Sequence, residues 1–139
     1  MVDVGGKQPT RRRAVAEARV RLNEGAHAAL ASGALAKGDA LAVARIAAIQ
    51  GAKRTADLIP LCHPLPLDHV AVQVDLDALP SCVVITVEAR TTARTGVEME
   101  ALTGASAGAL AVYDMTKGEP GDAPVIETVI LLEKVVERP

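Results

Sequence analysis

From Ala16 to Leu22 the chain alternates small or apolar side chains with charged ones, Ala-Glu-Ala-Arg-Val-Arg-Leu. That period of two predicts a strand with one wet face. Asn23 is placed to cap a short Ala-rich helix that Gly33 would end. Asp39 is placed to cap a second helix running to about Arg54, with Leu41, Ile46 and Ile49 on its apolar face. The segment LIPLCHPLPL holds three prolines, which exclude a helix interior or a central strand and predict an extended, stiffened loop. Residues 69–76 and 82–92 alternate and are rich in Val, Ile and Thr, predicting a hairpin closed at Leu79-Pro80-Ser81. Residues 97–117 carry apolar positions at helical spacing and form the longest predicted helix. Its run of Gly and Ala between Gly104 and Ala109 leaves it thin enough for close backbone approach. Residues 125–135, dense in β-branched side chains, predict a closing strand.

The resulting order, β-α-α-β-β-α-β, is an α+β pattern of ferredoxin-like type with an additional helix, its antiparallel sheet covered by helices on one face. At 139 residues the chain reads as one domain spanning 1–139. Residues 1–10, polar and containing Gly5, Gly6 and Pro9, are expected to form a mobile arm.

Composition changes this picture in three ways. Half the residues are apolar, yet Tyr113 is the only aromatic, so the core is built from small aliphatic side chains, and a thin core of that kind favours oligomerisation. A net charge of −2 argues against broad nucleic-acid binding, which relies on a strongly basic surface. Apolar runs fall short of the ~20 residues a bilayer span needs, and the N-terminal charges lack a following apolar segment. The reading is therefore a cytoplasmic protein with no membrane partner. Cys62 and Cys82 belong to no CxxC and read as free thiols, with no metal site.

His63, fixed between Cys62 and Pro64, is the first candidate for chemistry, because a restrained imidazole suits proton transfer near neutral pH. The alternative is a loop histidine bonded to backbone. His27 and His69 read as structural. Asp114 and Lys117, three apart, share a helix face and form an acid–base couple with a cation for phosphate, or else a helix-end ion pair. Glu98 and Glu100 frame Met99 at a helix start, where acids also answer the helix dipole. Lys37, Lys53, Arg54 and Arg94 lie near element ends, as phosphate-contacting or merely solvated cations do. None of them belongs to a Walker-type loop or a GxGxxG.

Three long blocks, MVDVGGK, KGDALAVARIAAIQGAKRTADLIPLCHPL and RTGVEMEALTGASAGALAVYDMTKG, resemble the cyclic pyranopterin monophosphate synthase family, the molybdenum cofactor biosynthesis protein C or MoaC family. The resemblance covers nearly the whole chain. It implies a lyase that converts a cyclised dihydro-GTP to cyclic pyranopterin monophosphate with release of pyrophosphate. It also implies a homohexamer, a trimer of dimers, with sites at subunit interfaces. Asp114, Lys117, His63 and Lys37 are thereby expected to be catalytic, and Leu61, Cys62, His63, Glu98, Met99, Lys53 and Glu100 to bind substrate. No cofactor is required by what the sequence shows, and the triphosphate is compatible with an accompanying divalent ion such as Mg.

The chain departs from the family pattern at Arg94, where many members carry lysine, which keeps charge but not proton-transfer ability. It also lacks the Gly- and Lys-rich tail and the short polar leader common in the family. The competing class is a non-catalytic, oligomeric ligand-sensing module of the same fold. An RNA-binding version fits poorly, because one aromatic cannot stack several bases.

Overall fold

The computed structural model describes residues 1–137. Its elements run β1 (Thr10–Arg21), α1 (Glu24–Ser32), α2 (Ala40–Lys53), α3 (Thr55–Leu58), β2 (His69–Asp75), β3 (Cys82–Ala93), α4 (Glu98–Thr116) and β4 (Val125–Glu137). The four strands form one antiparallel sheet in the order β2-β3-β1-β4. This is the ferredoxin-like arrangement expected, with α1 and the single-turn α3 added around α2.

The caps act as the sequence predicts. Asn23 Oδ1 accepts from the Ala26 N–H at 2.8 Å, and Gly33 closes α1 at φ 74°. Asp39 Oδ1 accepts from the Ala42 N–H at 3.1 Å at the start of α2. Asn23 also donates through Nδ2 to the carbonyls of Pro120 and Asp122, tying α1 to the lead-in of β4. His27 Nε2 lies 2.9 Å from the Leu76 carbonyl, the structural role expected of it.

The core is one layer of small side chains between the sheet and the α2–α4 pair. Ala14, Ala16, Ala18 and Val20 of β1 alternate inward beside Val83, Ile85, Val87 and Ala89 of β3. They meet Ala101, Ala105, Ala109 and Val112 of α4 and Ala44 and Ala48 of α2. The two helices run antiparallel in close contact. A Cβ at Gly51 would lie 2.5 Å from Ala107 Cβ and 3.1 Å from the Thr103 carbonyl, and one at Gly104 would lie 3.0 Å from the Ala48 carbonyl.

That closeness overturns the expected apolar face of α2. Its buried stripe is Ala40, Ala44, Ala48, Gly51 and Ala52. Ile46 and Ile49 point outward, Ile46 being 57% exposed, and Val43 joins them. Leu41 is partly buried against the core. Only small side chains fit against the Gly104–Gly108 stripe of α4, so size rather than hydrophobicity selects the inner face.

Two further differences concern the ends of elements. The strand predicted from Ala16 begins at Thr10, because Arg11, Arg12 and Arg13 pair with β3 on one side and β4 on the other. The proline-rich segment turns before it extends, with the Cys62 N–H bonding the Ile59 carbonyl at 3.1 Å.

Candidate active site

The antiparallel α2–α4 pair sorts the candidate residues into two groups. At one end, α4 begins with Glu98, Met99 and Glu100, next to the 59–67 loop that follows α2 and α3. A cavity of about 420 Å³ there is lined by Leu61, Cys62, His63, Glu98, Met99 and Glu100. Val2, Val4 and Lys7 of the N-terminal arm close another side of it. The arm holds its own turn, with the Gly5 N–H donating to Asp3 Oδ1 at 2.8 Å.

The two acids at this end live in opposite environments. Glu98 pairs with Lys134, which β4 brings across from the sheet edge. Burial works against ionisation of Glu98, but the Lys134 ammonium, with Arg12 nearby, holds its carboxyl below the usual glutamate range. Glu100 is only 4% exposed. Burial pushes its carboxyl up, its own backbone N–H works the other way, and the neighbouring Glu98 charge adds to the rise. Burial likewise raises the Cys62 thiol, with a further push from Glu100, so the thiol stays protonated at neutral pH. Both cysteines are free, as expected.

At the other end of α4, Asp114 gathers two lysines. Lys37 Nζ lies 2.9 Å from Asp114 Oδ2 and also donates to the Asp114 carbonyl at 3.1 Å. Lys117 Nζ lies 3.1 Å from Asp114 Oδ1. Lys37 first and Lys117 second hold the aspartate below its ordinary range, so it is a carboxylate at neutral pH. All three side chains are about half exposed.

The groups do not meet within one chain. Glu98 and Asp114 are sixteen residues apart on one continuous helix, which at ~1.5 Å per residue separates them by about 24 Å. Lys53, at the end of α2, belongs with the first group and shares a smaller pocket of about 110 Å³ with Glu100, Thr55 and Asp57. Arg94 is exposed in the bend after β3. Lys134, Arg12 and Lys7 were not singled out by the sequence. Arg12 lies in a run of three arginines and Lys7 ends the MVDVGGK block; the pairing of β1 with β4 sets Arg12 and Lys134 near Glu98, and the path of the arm brings Lys7 to the cavity. Among the described residues no group of three or more His, Cys, Asp or Glu side chains could hold a metal ion, and no helix is long and apolar enough to cross a membrane.

A ferredoxin-like sheet with one helical face, a cavity lined by His63 and two unlike carboxyls, and a Lys-Asp-Lys cluster at the far helix end define an α+β enzyme for a small-molecule substrate. Residues 1–136 match the MoaC family over essentially the whole described chain, and the protein belongs to that family. A cyclic pyranopterin monophosphate synthase from Herpetosiphon aurantiacus is 53% identical over 134 residues, covering 96% of this chain and 81% of that protein. One of the same name from Roseiflexus castenholzii is 58% identical over 117 residues, covering 84% of this chain and 74% of that protein.

Proposed function

We propose that this protein is a cyclic pyranopterin monophosphate synthase. It converts (8S)-3',8-cyclo-7,8-dihydroguanosine 5'-triphosphate to cyclic pyranopterin monophosphate and pyrophosphate, as a cytoplasmic step of molybdenum cofactor biosynthesis. Family membership and the printed names of two relatives more than 50% identical support the reaction.

The observation that carries the site is the division of its residues between the two ends of α4. A working site joins the His63–Glu98–Glu100 cavity of one subunit to the Lys37–Asp114–Lys117 cluster of another. In that joint site His63, Asp114 and Lys117 move protons on and off ring nitrogens while Leu61, Cys62, Glu98, Met99 and Glu100 bind the substrate. Lys37, Lys53 and Lys117 offset the negative charge that builds as pyrophosphate leaves.

The assembly is a homohexamer, a trimer of dimers. Its support is the apolar surface that one chain leaves uncovered: Val43, Ile46 and Ile49 on α2, Leu110 on α4, and Val129, Ile130, Leu131 and Leu132 on the edge strand β4. A run of exposed apolar side chains along an unpaired strand edge is a surface suited to pairing with another subunit.

The test is incubation of the oligomeric protein with the cyclised dihydro-GTP, following pyranopterin product and pyrophosphate together. Asp114→Ala is expected to abolish turnover while the oligomer and ligand binding persist. A folded oligomer that binds the compound and forms no product would make the protein a ligand-sensing module instead.

A further inference from the structure

We propose that Glu100 is a general acid of this reaction, donating the proton that a ring nitrogen takes up as its bond to C8 of the substrate breaks. The proposal rests on the synthase reading and adds a role to a side chain that family resemblance marks only as substrate-binding.

Three observations place a proton donor there. Glu100 is buried to within 4% of full enclosure, yet it lines the open cavity that holds His63, Cys62 and Met99. Among the described residues its carboxyl has no cation and no side-chain hydrogen-bond partner, whereas Glu98, two residues earlier, is paired with Lys134. The titratable and charged groups that line the same two pockets are Glu98 on its own helix, Cys62 and His63 from the loop, Lys7 from the arm, and Lys53 and Asp57 from the α2–α3 corner. Glu98 adds repulsion to the effect of burial, and none of the cations offsets it. Two carboxyls whose surroundings push them apart divide the labour of acid and charged anchor, and a neutral carboxylic acid beside a reacting nitrogen is an efficient donor near neutral pH.

The step balances as a proton transfer. C8 of the substrate carries two ring nitrogens. As one C8–N bond breaks, its electron pair stays on the departing nitrogen, which takes the Glu100 proton and becomes N–H. The other nitrogen supplies its lone pair to C8 and forms a C=N iminium, whose positive charge balances the new Glu100 carboxylate. The Glu100 carboxylate left behind regains a proton from solvent through the cavity mouth before the next turnover.

The experiment uses the full-length oligomer and compares wild type, Glu100→Gln and Glu100→Asp in kcat and KM across pH. Glu100→Gln removes only the proton and the buried charge, so it should fold at least as stably, increasingly so as pH rises above the ordinary glutamate range. Its kcat is expected to fall about 100–10,000-fold with KM little changed, and the alkaline limb of the kcat profile should disappear. Glu100→Asp should recover part of the rate with that limb displaced. Carbon-13 NMR of the glutamate carboxyls, with Glu100→Gln identifying the signal, should show Glu100 titrating above the ordinary range. A Gln variant with wild-type kcat, a loss of rate with an unchanged pH profile, or an ordinary titration would each overturn the proposal while leaving the synthase reading standing. Wild-type protein that makes no product would bring down the synthase reading, and this role with it.

Discussion

The two ends of the α2–α4 pair hold their charges differently. At the start of α4, Glu100 is almost fully buried at the wall of a cavity that the 59–67 loop and the N-terminal arm also line. At the end of α4, Asp114 and its two lysines stand about half exposed. Water screens ion pairs of that kind, so they contribute little to the stability of the chain alone. The same three charges act strongly once another surface excludes water from them. One end is therefore organised by its own chain, and the other, in the proposed oligomer, becomes a site only where a second subunit covers it.

The largest expected effect comes from breaking the two ends in different subunits. His63→Ala and Asp114→Ala should each lower kcat by about 100–10,000-fold, the range for loss of a positioned acid or base. Co-expressed in equal amounts, they should regain about one quarter of wild-type activity, because random mixing in a symmetric oligomer leaves that share of joint sites with both halves intact. His63→Ala co-expressed with Glu98→Ala should regain nothing, since both lesions lie in the same half. Recovery in the second mixture, or none in the first, would mean that the site is not divided along α4.

A smaller effect tests the scaffold that keeps the ends apart. Gly51→Val inserts a branched side chain where α2 meets Ala107 and Thr103 of α4, and overpacking of this kind costs about 1–3 kcal/mol. Thermal or urea unfolding measures it. Ile46→Ala, on the outward face of the same helix, should leave chain stability nearly unchanged and weaken assembly, read by light scattering. An equal loss of stability at both positions would restore the apolar face that the sequence pattern suggested for α2.

That contrast also shows what the sequence could convey. The caps at Asn23, Gly33 and Asp39 were legible because their chemistry is local: a side-chain oxygen reaches an N–H three residues on, or a glycine adopts positive φ. The inner face of α2 was not. The helix carries two candidate stripes, and the choice between them is made by Gly104 and Gly108 more than fifty residues away. The first half of β1 was hidden by three consecutive arginines, whose strand character comes from pairing on both sides. Residue chemistry nominated His63, Asp114, Lys117, Glu98 and Glu100 with structural alternatives open, and the family blocks assigned their roles. Their division between helix ends came from the fold, as did Lys134 and Arg12, which strand pairing sets near Glu98, and Lys7, which the path of the arm brings to the cavity.

The smallest effect concerns the charged anchor of the cavity, the Glu98–Lys134 pair between α4 and β4. Because the carboxyl of Glu98 is held below its ordinary value of 4.5, the unfolded chain takes up a proton there before the folded chain does as pH falls. The stabilisation from this pair is therefore complete above that value and fades as pH drops through the folded one. Lys134→Met removes the ammonium but not the burial, which alone would raise the carboxyl, so the variant should be less stable than wild type at neutral pH. With the lysine head about half exposed, screening keeps the difference to about 0.2–1 kcal/mol. Urea unfolding at pH ~7 should show that loss, and the loss should shrink as pH falls through the lowered folded value of Glu98. A deficit that did not change with pH would come from the packing of the Lys134 stem against the helix rather than from its charge. The cavity end would then be held by shape alone, which would narrow the electrostatic contrast between the two ends of α4.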